Sequence, residues 1–311
     1  MSIPLTDHRL SWEDLPDSVH DRITAHYGRV DKAETVHGER PGFAGRVYAQ
    51  RDDAFIKAVP LTAPSADLAL VRSEQRAAEI LHTHPEPTPA PVLLWTNTVD
   101  GWLILAWELI NDHARHADLG PGSGDLPFVL DTLGWLAEEP ITAHGRSAAE
   151  HYNRVWAAGR VLLDQPATLP NPRLYRGALD GFDVDRLDGA SLVHTRLGRR
   201  SILVKDNQIF VVSWSHWCRG PWWIDLASLA PHFIAKGNTP EQTDEMLGAA
   251  VERWPEASAA DVAGVAALEA LHHRYLAEYG PKLRSEEEAR LAVACHEWLA
   301  YWAAHRLPAL T

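Results

Sequence analysis

Two cysteines, Cys218 and Cys295, are too few for a disulfide framework, and they lack the CxxC spacing of zinc or redox sites. Both read as packed thiols. Long hydrophobic runs are missing as well: Gly-Trp-Leu-Ile-Leu-Ala-Trp at 101–107 falls far short of the roughly 20 apolar residues a membrane span needs. The N-terminus lacks the basic start and apolar core of a secretory signal, so a cytoplasmic location is expected. Positive charge is scarce. Against 42 Asp and Glu stand 29 Lys and Arg, a net charge of −13 that disfavours nucleic-acid and anionic-membrane surfaces. Such acidity suits a cationic ligand, or simply keeps the chain dispersed. The 17 histidines are scattered, and pairs such as His82/His84, His113/His116 and His272/His273 fit no zinc spacing.

What is present patterns into two parts of α+β character. Ser11 and Asp14 read as a cap for a first helix over 15–27, with Pro16 in its first turn. Short strands follow at 34–36, 46–49 and 54–59, then a helix over 65–81 with Leu68, Val71, Ala78 and Leu81 on one side. The Pro-rich connector HPEPTPAP precedes strands at 92–96 and 102–107. The expected division is an N-lobe over 1–107 and a helical lobe over 108–311, the latter interrupted by one β-rich block over 191–213 whose hairpin turns at Asp206-Asn207. Helices are read over 126–137, 147–163, 259–279 and 285–306. In the last, Leu291, Ala294, Cys295, Trp298, Leu299 and Trp302 form a core stripe, and Ser285 with Glu288 reads as its capping box.

A small β lobe, a hinge and a helical lobe with a central hairpin is the organisation of kinase-like folds. Within Phe55-Ile-Lys-Ala-Val59, Lys57 lies on an apolar strand where an unpaired ammonium is costly, and Glu74 on the next helix can supply its anion. A lysine at the sheet edge reaching water is the alternative. Upstream, Gly42 and Gly45 of ERPGFAGRVY suggest a phosphate-covering turn. The stretch LVHTRLGRRSILVKDNQIFVVSWSHWCRGPWWIDLASL, 192–229, resembles the aminoglycoside phosphotransferase and choline-kinase-like family, whose counterpart runs LVHGDLHPGNILV, a hairpin, IDW and a D-L-A segment. Lys57, Glu74 and the GWLILAWE hinge fall in step, so the resemblance covers nearly the whole chain. It implies a bilobal protein-kinase-like fold.

The resemblance breaks at the positions that carry the family's chemistry. His194 matches, but Thr195 and Arg196 stand where the family has Gly and the catalytic Asp, and a guanidinium cannot serve as a base. Ser201 replaces the magnesium-binding Asn, and Ser213 the Asp of IDW; Asp225 remains in the D-L-A segment. One uncompensated positive charge at about 5 Å opposes a divalent cation by roughly 6 kcal/mol at an effective dielectric near 20. The resemblance therefore implies a pseudokinase-like protein without standard phosphotransferase activity, binding a small molecule, a peptide or a protein partner. Its sharper form is a magnesium-independent site for ATP or another phosphate-bearing ligand, formed by Lys57, Glu74, Arg196, Arg199 and Arg200. Two alternatives stay open. One is an active kinase-like transferase using His194, Asp206, His216 or Asp225. The other is a cleft converted to non-ATP chemistry, with Trp214, Trp217, Trp222 and Trp223 as an aromatic wall.

Overall fold

The structure is a computed structural model that describes residues 10–36, 42–110, 114–138, 141–165 and 169–307; His113 and residues 39–41 of the glycine-containing loop lie outside them. The chain divides into two compact units. One comprises residues 1–114 with Phe210–His216, and the other Arg115–Ile209 with Trp217–Thr311.

The first unit holds helix α1 (Asp17–Tyr27), strands β1 (Val30–Thr35), β2 (Phe43–Ala49) and β3 (Ala54–Pro60), helix α2 (Ser65–His82), and strands β4 (Leu93–Val99) and β5 (Trp102–Glu108). Its five antiparallel strands run in the order β1-β2-β3-β5-β4. Successive strand residues face opposite sides. One side places Ile56, Ala58, Ile104 and Ala106 with Val19, Ile23 and Tyr27 of α1, and the other places Val59, Leu103, Leu105 and Trp107 with Val71 of α2. A helix on each face explains why β5 reads as a continuous apolar run rather than an alternation.

Several expected boundaries move for local reasons. The residue before a proline avoids the helical region, so α1 begins at Asp17 rather than at 15. Ser11 and Asp14 instead cap a single 3-10 turn, Trp12–Asp14. Ser285 already has helical dihedrals and donates to the Lys282 carbonyl, so it cannot cap its own helix, and Glu288 reaches His273. Gly45 lies within β2 rather than in a turn. A Cβ there would stand 2.5 Å from the Glu34 carbonyl and from the Phe43 ring, so sheet packing accounts for this glycine.

The second unit is mainly helical: α3 (Leu126–Glu138), α4 (Ala148–Leu163), α5 (Pro172–Leu179), α6 (Ile224–Ile234), α7 (Pro240–Ala250), α8 (Ala259–Tyr279) and α9 (Ser285–Arg306). Short strands accompany them: β6 (Arg115–His116), β7 (Ser191–Val193), β8 (Ile202–Lys205) and β10 (Cys218–Gly220), while β9 (Gln208–Val211) begins in this unit and ends in the first. Strands β8 and β9 turn at Asp206 and Asn207, both at positive φ, as the hairpin signal requires. β7 pairs antiparallel with β10, which fixes the chain on both sides of the hairpin. Helices α8 and α9 pack against each other, and the stripe read from the sequence is buried, with Trp298 fully enclosed. Asp244 of α7 accepts hydrogen bonds from Trp254 (2.8 Å) and Tyr301 (3.0 Å), with Arg306 at 3.3 Å, and so ties α7 to the end of α9.

Trp298→Ala is expected to cost about 3–5 kcal/mol, because a fully enclosed indole leaves a cavity its neighbours cannot close. Urea denaturation followed by circular dichroism measures it.

Candidate functional site

Strand β3 is the centre of its sheet, so Lys57 is not an edge residue. Its odd position in the pleat aims it at α2. There its Nζ lies 2.5 Å from Glu74 Oε2 and 4.9 Å from the centre of the Trp107 ring. Side-chain exposures of 16% and 8% make this a largely desolvated ion pair, held by the sheet on one side and the helix on the other. Removing one member of such a pair leaves a buried charge uncompensated. Ser213, also in the first unit, is exposed with a φ of 68°.

In the second unit, the loop between β7 and β8 is organised around Asp225 at the start of α6. Both of its carboxylate oxygens accept backbone N–H groups, from His194 at 2.7 Å and from Thr195 at 2.8 Å. Burial pushes the Asp225 pKa up to about 6 despite those two bonds, which act in the opposite direction. Thr195 is buried at a φ of 61°, a left-handed conformation that a β-branched residue rarely adopts. The imidazole of His194 is buried and its Nδ1 accepts the Arg196 N–H at 3.2 Å, so in the neutral ring the proton resides on Nε2.

Of the three arginines expected to cluster, Arg199 and Arg200 both lie near His116, and Arg196 meets another neighbour. Arg196 is exposed, with Nη2 3.4 Å from His272 Nε2 on α8. Arg200 forms an ion pair with Glu287 on α9. Arg199 lies beside His116, whose pKa is lowered first by burial and then by the charge of Arg199. The Ser201 hydroxyl is turned into its own loop: it accepts the Gly198 N–H at 2.9 Å and lies 3.0 Å from the Gly198 carbonyl.

Magnesium, which the resemblance of the 192–229 stretch implies, does not fit these residues. Arg196 brings a fixed cation, the Ser201 oxygen closes a turn, and each Asp225 oxygen already accepts a backbone amide. Among the described residues no group of three or more His, Cys, Asp or Glu side chains is placed to hold a metal ion.

Other candidates have structural places. Asp206 is exposed at the hairpin tip. His216 lies in the 3-10 turn Trp214–His216, which packs against α2. Trp214, Trp217 and Trp223 are buried, with Trp214 Nε1 donating to the Val211 carbonyl at 2.8 Å, and Trp222 lies under the Arg253 guanidinium. These rings serve packing rather than an aromatic wall.

The sequence reading missed a polar network behind the loop. Tyr152 on α4 bonds Ser228 (3.1 Å) and Glu269 (3.0 Å); Glu269 lies 3.7 Å from His273, which bonds Glu288 at 2.6 Å. The i,i+4 spacing of Glu269 and His273 was the one available signal. His151, pushed down to about 3, and His272, pushed down to about 4, stay neutral through burial first and the Arg196 charge second, and burial lowers His232 to about 3.

No family model and no curated protein sequence matches the chain. Among solved structures it is similar to choline kinase LicA from Streptococcus pneumoniae, with 13% identity, coverage of 92% of this chain and 97% of that one, and a TM-score of 0.58. It is similar to an aminoglycoside phosphotransferase from Alicyclobacillus acidocaldarius subsp. acidocaldarius, with 11% identity, coverage of 90% and 92%, and a TM-score of 0.57. A third is amicoumacin kinase hAmiN in complex with AMP-PNP, Ca2+ and Ami, with 13% identity, coverage of 95% and 98%, and a TM-score of 0.57. These likenesses show the fold, which is the one expected from the 192–229 stretch.

Asp225→Ala leaves two buried amides without an acceptor and is expected to cost about 2–4 kcal/mol in urea denaturation, with Asp225→Asn intermediate. The pH response follows from the shifts. His151, His232 and His272 bind protons in the unfolded chain near pH 6.5 but in the folded one only near 3 to 4, so their contribution is present above pH 6.5 and is lost on acidification. Asp225, raised to about 6, acts with the opposite sign between pH 6 and 3.8. Three histidines outweigh one carboxylate, and the melting temperature should fall from pH 7 to pH 5; a flat or rising profile contradicts this assignment.

Proposed function

We propose that this chain is a pseudokinase-like binding module that takes up a phosphate-bearing ligand, such as ATP, without magnesium and does not carry out standard phosphoryl transfer. The observation that carries the reading is the pairing of a guanidinium, Arg196, at the base position with a loop whose backbone Asp225 still holds in a defined shape. A loop that had merely decayed would have no reason to retain this clasp.

Lys57 supplies the ligand side of the proposal. Its ammonium is oriented by Glu74 and the Trp107 face, so a phosphate approaching it meets a positioned cation rather than a mobile one. Arg196, exposed and always charged, offers a fork suited to phosphate oxygens. With no carboxylate at the base position, hydrolysis and transfer lack their proton acceptor, and the Ser201 hydroxyl, at the metal-ligand position, is bound into its own turn.

Isothermal titration with ATP, in EDTA and then in magnesium, tests the reading. The expected result is saturable binding in EDTA that magnesium does not strengthen, weakened about tenfold, or ~1.4 kcal/mol, in Lys57→Ala. Binding that requires magnesium, or steady ATP consumption, would overturn it.

A further inference from the structure

The geometry points to a second binding surface, in the first unit: the groove between α2 and the free edge of β4 accepts an acidic, extended peptide segment of a partner protein. It stands independently of the nucleotide reading, since it uses none of the residues assigned there.

The groove has a volume of about 600 Å³ and is lined by Arg72, Gln75, Arg76 and Glu79 of α2, by Thr96, Asn97 and Thr98 of β4, and by Leu103 of β5. Thr96 and Thr98 stand opposite Leu105 and Leu103 in the β4–β5 register, so they share the sheet face that α2 packs on. Both threonines are nevertheless exposed, although α2 runs alongside β4.

The two outer strands of this sheet differ in a way that matters for pairing. β1, with the sequence VDKAET, carries charges along its length, and Lys32 and Glu34 form an ion pair on it; such charges discourage another strand from adding to an edge. β4, with the sequence LLWTNTV, has seven residues with no charge and no proline. Among the described residues it pairs with β5 alone. Leu94 on it is 52% exposed, and Val92 just before it 40%. A long uncharged edge with exposed apolar side chains is a template for strand addition.

Charge selects the occupant. Arg72 and Arg76 are four residues apart on α2, a like-charge spacing that costs the helix, and both are exposed. Neither forms an ion pair or side-chain hydrogen bond among the described residues. Glu79 is bonded to Gln75 at 2.9 Å, and Asn97 is held by Arg22 of α1 at 3.0 Å. In a chain of net charge −13, two uncompensated guanidinium groups beside an open strand edge complement carboxylates on an extended backbone.

Fluorescence anisotropy of the full chain with a fluorescein-labelled ten-residue peptide alternating glutamate and valine tests the proposal. Saturable binding is expected, weakened roughly tenfold in the Arg72→Ala/Arg76→Ala double variant and lost when alternate peptide amides are N-methylated, since methylation removes the pairing donors while leaving the charge. Circular dichroism checks that the double variant, altered only at exposed positions, is folded. Four results would each overturn the inference: no saturable binding by the unaltered chain, equal binding by the double variant, equal binding of the methylated peptide, or displacement by citrate at concentrations comparable to the peptide. The last two would reduce the groove to diffuse attraction or a small-anion site.

Discussion

A single buried carboxylate organises the loop between β7 and β8. Asp225 costs energy to bury, as its raised pKa records, and it offsets that cost by accepting two backbone N–H groups from consecutive residues, His194 and Thr195. Bonds from amides to a charged acceptor are among the stronger ones in a protein, about 1.5–3 kcal/mol each. Together they hold Thr195 in a left-handed conformation that a β-branched side chain otherwise avoids, and they set the direction in which Arg196 leaves the loop. The Ser201 hydroxyl then closes the remaining turn from inside. The loop's shape therefore rests on Asp225 and backbone amides rather than on the exposed side chains of Arg196, Arg199 and Arg200.

The Lys57–Glu74 pair is fixed by packing in the other unit. Its geometry follows from the sheet: a central strand, a side chain on the α2 face, and a helix whose buried side carries Glu74 among alanines and Val71. A largely desolvated pair of this kind must remain paired whatever it binds, because either partner alone would be a buried charge. The structural role and the proposed phosphate-orienting role thus share one set of contacts. Helix α2 has a second aspect, since the residues flanking Glu74 in sequence point away from the sheet centre and place Arg72 and Arg76 at the β4 edge.

Much of the architecture was legible in advance. Residues 259–279 and 285–306 are helical over the spans their periodicity gives, and Asp206-Asn207 makes the hairpin turn its residue types demand. Boundaries that depended on the backbone state of a single residue were not. Ser285 resembles an N-cap by composition, yet a preceding 3-10 turn had already made it helical; Gly45 resembles a turn residue, yet it lies in a strand because a neighbouring carbonyl and ring leave no room for a side chain. Side-chain partners were legible only where one candidate existed, as for Lys57 and Glu74.

The sequence by itself determined the α+β division, the hairpin turn at Asp206-Asn207 and the permanent charge at Arg196, because periodicity, turn chemistry and protonation are properties of local residues. Only the tertiary structure decided that Arg196 turns toward His272 and Arg200 toward Glu287, that three of the four loop tryptophans are core, that Asp225 accepts two backbone amides, and that, among the described residues, β4 pairs on one side only and lies beside Arg72 and Arg76. Those outcomes depend on which elements lie side by side, and groups far apart along the chain meet only when burial of both faces of a sheet and of the helix stripes has fixed where each element sits.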